Sequence, residues 1–345
     1  MTSRKNSYDL LRIISAFAVV LIHVNATITA NANISLLNWS LGSFINTITR
    51  FSVPCFVMLS GALLLNNKKN ANYSYFYRKS FYKIGIPLCI FTLLSLLFSM
   101  GTALIEKNSL IEVIKTYVSG DFNNYWFMFM LIGLYFLVPI IIRIKKTVKF
   151  STYCVFAVCW VVFACISQAT SVYSVSYSFG IIFSFVSYFV LGDIIYEIQK
   201  KVKHPCICII FSLLLFIAEF VIRNCFNITV YLTSAYSSWF SPIVVLASLL
   251  LFMGFSNINI KSNFSKLSSW TYIIYLAHTK IYLLLLLALG AKFSSVIQTH
   301  SYLSICVVSI LTFILSCIVS IVYNFIWKRI EIKYKLKEKF LKKSI

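Results

Sequence analysis

The sequence predicts an all-α fold: a polytopic integral membrane protein of ten transmembrane helices with both termini on the cytoplasmic side. Composition is the first reason, since 60% of the 345 residues are hydrophobic, 17% aromatic and only 12% charged, and the mean hydropathy is +0.86. The second is that apolar stretches of the ~17 to 25 residues needed to cross a bilayer recur from end to end. The third is that Lys and Arg fall in alternate loops, the positive-inside pattern. The formal charge of +22 therefore reports orientation and contact with anionic lipid, and no nucleic-acid partner is expected.

The first span, near 10–29, follows Arg4 and Lys5; ionisable residues within its apolar run mark it as a retained helix and not a cleaved signal peptide. The second, near 42–65, contains Pro54 close to Ser60 and Gly61 and is expected to kink there. Lys68, Lys69, Arg78, Lys79 and Lys83 lead to the third, near 84–102, after which Lys107 and Lys115 are offset by Glu106, Glu112 and Asp121. The fourth, near 125–143, opens on Trp126 and closes at Arg143, and Lys145, Lys146 and Lys149 precede the fifth, near 151–168. The sixth, near 177–197, ends before Lys200, Lys201 and Lys203. The seventh, near 207–222, brings Glu219 and Arg223 four residues apart, a spacing that predicts a local ion pair near the external surface. The eighth, near 241–255, is followed by Lys261 and Lys266, and the ninth and tenth lie near 269–289 and 303–326. The basic tail 327–345 is expected against anionic headgroups, each Lys near the surface contributing ~1 kcal/mol.

No internal repeat, phosphate-binding glycine loop or low-complexity linker divides the chain, which reads as one membrane-embedded domain over 1–345. Most of the ten cysteines sit inside spans, where a thiol behaves as a small hydrophobe. Cys206 and Cys208 are too closely spaced for a CxxC pair, so no metal site is expected.

Charge is rare inside the apolar runs, and the first span carries both Arg12 and His23. Eleven residues make roughly three helical turns, so the two share one face ~16 Å apart and are expected to look into one cavity. Intramembrane ionisable residues are functional candidates by default. An imidazole, with an unperturbed pKa of about 6.5, is the natural general base at neutral pH. Asp9 lies three residues before Arg12, on the same face, where it can pair with the guanidinium and orient it.

Several blocks in order resemble the acyltransferase 3 family of bacterial inner-membrane acyltransferases. They are Asp9-Leu10-Leu11-Arg12 with ten residues between the arginine and His23; Val53 to Gly61; Tyr77 to Pro87; Tyr125-Trp126-Phe127-Met128 with Pro139; Tyr188 to Gly192; and Thr271 to His278. Together they cover nearly the whole chain. The third block commonly carries two arginines three apart, whereas Ser80 and Lys83 stand at those positions here, with Arg78 and Lys79 as the alternative source of charge. The chain resembles the stand-alone members, which have no appended extracellular hydrolase-like domain.

The resemblance implies transfer of an acyl group, acetyl first among the candidates, from cytoplasmic acyl-CoA to a hydroxyl of a surface polysaccharide or lipid-linked glycan. No tightly bound cofactor is implied; acetyl-CoA is the donor substrate. Beyond the acceptor, membrane lipids and a polysaccharide synthesis or export machinery are the implied partners, and the bacterial inner membrane the location. His23 then deprotonates the hydroxyl, Arg12 holds the donor and Asp9 orients Arg12. Arg78, Lys79 and Lys83 grip coenzyme A phosphates, although topology alone also places basic residues there. Ser60 offers a hydroxyl near the acyl group, Trp126 a ring for a sugar, and Tyr275 and His278, three apart on one face, shape the tunnel. The competing function is a transporter or exporter of glycan units, against which no inverted repeat or matched pair of broken helices is visible.

Overall fold

A computed structural model describes residues 4–29, 36–105, 109, 111, 114–115, 125–170, 177–199, 202–225, 239–299 and 301–341. The charge-pattern residues Glu106, Lys107, Glu112, Asp121, Lys200, Lys201 and Lys343 lie outside the described residues. No strand occurs among the described residues, and the helices are α1 (Asn6–Thr29), α2 (Leu36–Ile48), α3 (Ser52–Leu64), α4 (Tyr73–Ser80), α5 (Ile86–Ile105), α6 (Trp126–Thr147), α7 (Phe150–Thr170), α8 (Tyr177–Ile198), α9 (Pro205–Cys225), α10 (Pro242–Asn257), α11 (Ser265–Thr299) and α12 (Ser301–Leu341). Eight stretches among the described residues are long and apolar enough to cross a membrane; the 16-residue α10 is a shorter apolar helix. The fold is therefore an all-α, polytopic membrane protein.

Helix α1 is the centre of the bundle, packing on α2, α3, α11 and α12. Its apolar positions recur around much of its circumference, so Leu11, Val20 and Val24 are fully enclosed. The start of α1 meets late elements at the basic end of the molecule: Lys5 Nζ donates to the Ser256 carbonyl at 3.0 Å and Asn6 Nδ2 to the Ile260 carbonyl at 3.0 Å. At the same end Lys145 donates to Asp193 at 2.8 Å and Glu197 at 2.9 Å, and the Tyr153 hydroxyl donates to Asp193 at 3.0 Å. That network satisfies a carboxylate with no exposed surface.

The second apolar segment departs from the expected single kinked helix. It is broken at 49–51, between α2 and α3, and Pro54 sits in the first turn of α3. The first-turn amides have no intrahelical acceptor, so the missing N–H of proline costs nothing there. Thr49 contributes to the break by donating its hydroxyl to the Ile45 carbonyl at 2.6 Å, which competes with the backbone ladder.

Helices α3 and α8 touch backbone to backbone. A Cβ added at Gly61 would strike the Phe189 carbonyl, and one added at Gly192 would strike the backbone of Met58. Gly61 therefore serves helix packing, the usual role of small residues within membranes. The last helix, α12, runs on as a helix through Leu341.

Between α4 and α5, residues Phe81–Gly85 form a π-helical turn. Asn72 caps α4 by accepting the Tyr75 amide at 3.0 Å. The wider turn shifts the register of everything after Ser80, and it lies against the cavity described next.

Candidate active site

Asp9 is 2% exposed and is held from two sides. Arg4 donates to it through Nε at 2.6 Å and Nη2 at 3.1 Å, and Arg12 Nη1 donates to Oδ1 at 3.3 Å. The same Arg12 nitrogen donates to the Ser268 hydroxyl at 2.8 Å, while Arg4 Nη2 donates to the Ser265 carbonyl at 2.9 Å. The Asp9–Arg12 pair expected from their spacing is thus present. It is one edge of a larger lattice that ties the start of α1 to the start of α11 and fixes the direction of the Arg12 fork.

Arg12 reaches into a cavity of about 860 Å³ at the basic end, within the ~300 to 1,000 Å³ usual for small-molecule sites. Lys79 and Lys83 lie on its wall with Trp327 and Glu331 of α12, and deeper positions include Ser60, Tyr135, Tyr272 and Tyr275. Ser60 donates its hydroxyl to the Phe56 carbonyl at 2.9 Å, and the Tyr135 hydroxyl stands against its oxygen. Tyr272 donates to the Ile84 carbonyl of the π-helical turn at 2.7 Å. That bond ties a side chain of the cavity wall to the turn.

His23 does not line this cavity, contrary to the expectation that it and Arg12 open into one space. The Phe127 and Tyr275 rings, 5.3 Å apart, both line the cavity and occupy its inner end. Behind them the Tyr275 ring lies 5.6 Å from that of His278, and the His278 and His23 rings meet edge to face at 5.0 Å. His278 Nδ1 lies 2.5 Å from the Tyr275 carbonyl oxygen. A carbonyl only accepts, so Nδ1 carries a proton and, in the neutral ring, Nε2 is an acceptor. That nitrogen is buried without a hydrogen-bond partner among the described residues. His278 is 1% exposed, whereas His23 keeps part of its surface open.

Of the residues singled out from sequence, Arg12, Ser60, Lys79, Lys83 and Tyr275 share the cavity wall, with Asp9 behind Arg12. His23 and His278 form a pair one ring beyond it. Arg78 is exposed and absent from the wall, because the residue one step before Lys79 points about 100° away around the helix. Trp126 also lies off the wall, its ring 4.8 Å from that of Trp239 and 6.1 Å from that of Phe127. Tyr272 is the residue that sequence reasoning should have reached, since it precedes Tyr275 by three positions on one helical face. Tyr135 and Trp327 left no comparable local signal.

The model of a family described as an acyltransferase domain matches residues 5–322, nearly the whole chain. No curated protein and no solved structure matches. An apolar helical bundle with a basic-ended cavity, closed by an aromatic pair against two histidines, agrees with that match. The chain belongs to the acyltransferase 3 family of membrane acyltransferases.

Proposed function

We propose that this protein is an O-acetyltransferase of the bacterial inner membrane, taking acetyl from cytoplasmic acetyl-CoA and placing it on a hydroxyl of a surface polysaccharide or lipid-linked glycan. The observation that carries this reading is the set of groups brought together: Lys79, Lys83, Arg12 and Tyr275 on one cavity wall, with the imidazole pair in ring contact beyond Tyr275. Cations suit the phosphates of the donor, and the apolar interior suits the pantetheine arm and thioester.

In the reaction the acceptor oxygen attacks the thioester carbonyl carbon, the C–S bond breaks, and the ester C–O bond forms. His23 takes the hydroxyl proton and returns it to the departing sulfur, so no net proton is consumed. His278 stands against His23 with an unprotonated nitrogen, and it supports the imidazolium that forms. Arg12, fixed by Asp9 and Ser268, positions the thioester end of the donor. A glycan synthesis or export machinery supplies the acceptor.

The test uses membranes holding equal amounts of wild-type protein or His23→Ala, radiolabelled acetyl-CoA and the host's glycan fraction. Base-labile ester label with wild type and its loss in the variant is the expected result. Equal label in both would refute the role of His23, and no label with wild type would refute the acetyl-transfer reading.

A further inference from the structure

At the end of the bundle opposite the cavity mouth lies a buried polar cluster that the reaction above does not use. Glu219 of α9 is 1% exposed, and among the described residues the Ser241 hydroxyl is the side chain turned toward its carboxylate, which makes no close hydrogen bond. The ion pair with Arg223 expected from their spacing is not formed. Arg223 Nη1 donates instead to the Thr47 hydroxyl at 3.4 Å, across the helix interface, although its charge still acts on Glu219. Arg50, in the break between α2 and α3, donates to Asn46 Oδ1 through Nε at 2.9 Å and Nη2 at 2.7 Å, and its guanidinium lies 5.3 Å from the Trp239 ring centre. Trp239 Nε1 is also buried without a partner among the described residues, and the hydroxyl of Ser241 is turned toward the Glu219 carboxylate.

Unmade hydrogen bonds at buried polar atoms are costly, so a group of them at one place asks for a ligand. Here the groups with capacity to spare are of both kinds: a carboxylate that only accepts and has more lone pairs than Ser241 can fill, and an indole N–H that only donates. A vicinal diol supplies hydroxyl protons to the first and a hydroxyl oxygen to the second at the same time. A phosphate supplies no donor to Glu219, and an ammonium supplies no acceptor to Trp239. The cluster is also continuous with the histidine pair: the Trp239 ring lies 4.8 Å from Trp126, Trp126 lies 6.1 Å from Phe127, and Phe127 lies 5.3 Å from Tyr275.

We propose that Glu219, Arg50, Trp239 and Ser241 form the acceptor subsite, binding a sugar through adjacent hydroxyls from the face opposite the acyl-CoA cavity. The assignment rests on the acyltransferase reading and adds a side and a set of residues to it. Arg50 and Arg223 stand near enough for their charges to act on Glu219, while Glu219 and Trp239 contact the ring hydroxyls.

The experiment titrates the host's surface-polysaccharide fraction against fixed labelled acetyl-CoA, and then labelled acetyl-CoA against fixed polysaccharide, with wild type, Glu219→Gln, Trp239→Phe and Ser241→Ala in nanodiscs. Losing a hydrogen bond to a charged group predicts about a tenfold rise in the polysaccharide concentration giving half-maximal ester label in E219Q. W239F and S241A, which keep the packing, should each give a smaller rise of the same kind, with the half-maximal acetyl-CoA concentration unchanged in all three. If all three leave the polysaccharide titration where it is in wild type, or move both titrations together, the subsite is wrong while acetyl transfer stands. A fall in thermal midpoint with no change in either half-maximal concentration makes the cluster structural and also overturns the proposal. No ester label from wild type refutes acetyl transfer itself, and the subsite with it.

Discussion

Arg12 acts through a single nitrogen that bonds both Asp9 and Ser268. A lysine retains the charge but presents a compact ammonium on a flexible stem and cannot reproduce the fork. Arg12→Lys is therefore expected to lower kcat/KM for acetyl-CoA at least about tenfold, and Asp9→Asn by a similar factor, because each loosens the same guanidinium. Steady-state kinetics on matched membranes checks both; an R12K enzyme with wild-type kinetics would show that only charge matters. The spacing of Asp9, Arg12, Tyr275 and His278 made these contacts visible in the sequence, since residues three apart on a helix must face the same way. Ser268 was not visible: it stands 256 positions from Arg12, and no local pattern links them. The Glu219 cluster escaped for a similar reason, as a plausible i to i+4 pair concealed partners on α2 and in the segment before α10.

At the scale of elements, the close contact of α3 and α8 depends on two glycines facing each other's backbone. Gly192→Leu should push the helices apart and abolish the folded monomer in detergent size-exclusion chromatography. Gly101 is the control, because a Cβ there meets nothing within 4 Å. Gly101→Ala should leave the thermal midpoint unchanged or raise it slightly, since alanine favours a helix by about 1 kcal/mol over glycine. A G192L protein as well behaved as G101A would remove the packing argument. Apolar length predicted where helices run, but not their interruptions. Pro54 suggested a kink, yet the break falls a few residues earlier, where threonine hydroxyls compete with the backbone. The π-helical turn at Phe81–Gly85 likewise has no sequence signature, because it depends on tertiary contacts such as that of Tyr272 with Ile84.

Across the whole molecule, the cavity opens at the end that carries the positive charge, with Lys79 and Lys83 on its wall. Attraction of a polyanionic donor to such a mouth is screened by salt over ~8 Å at physiological ionic strength. The KM for acetyl-CoA should therefore rise as salt is raised, and the slope should flatten in a Lys79→Ala, Lys83→Ala double variant. A salt dependence identical in wild type and the double variant would exclude these lysines from donor capture. Arg78→Ala, by contrast, should leave the slope unchanged, because that side chain lies off the wall. Charge alone is equal reason to expect all three; only the helix register sorts them.

The lattice joining Arg4, Asp9, Arg12 and Ser268 also constrains how the protein is made. Helix α1 leaves the ribosome before α11, and at roughly 5 to 20 residues per second the partners on α11 follow many seconds later. Until then a carboxylate and two guanidiniums enter the bilayer boundary with only one another for company. Because they lie within one short stretch of the chain, the carboxylate offsets one of the two positive charges locally, and the early helix can wait at the lipid surface without its distant serine. Reversing Asp9 to a cation would remove that self-neutralisation before any chemistry is in question, and its first consequence would be a helix that fails to insert.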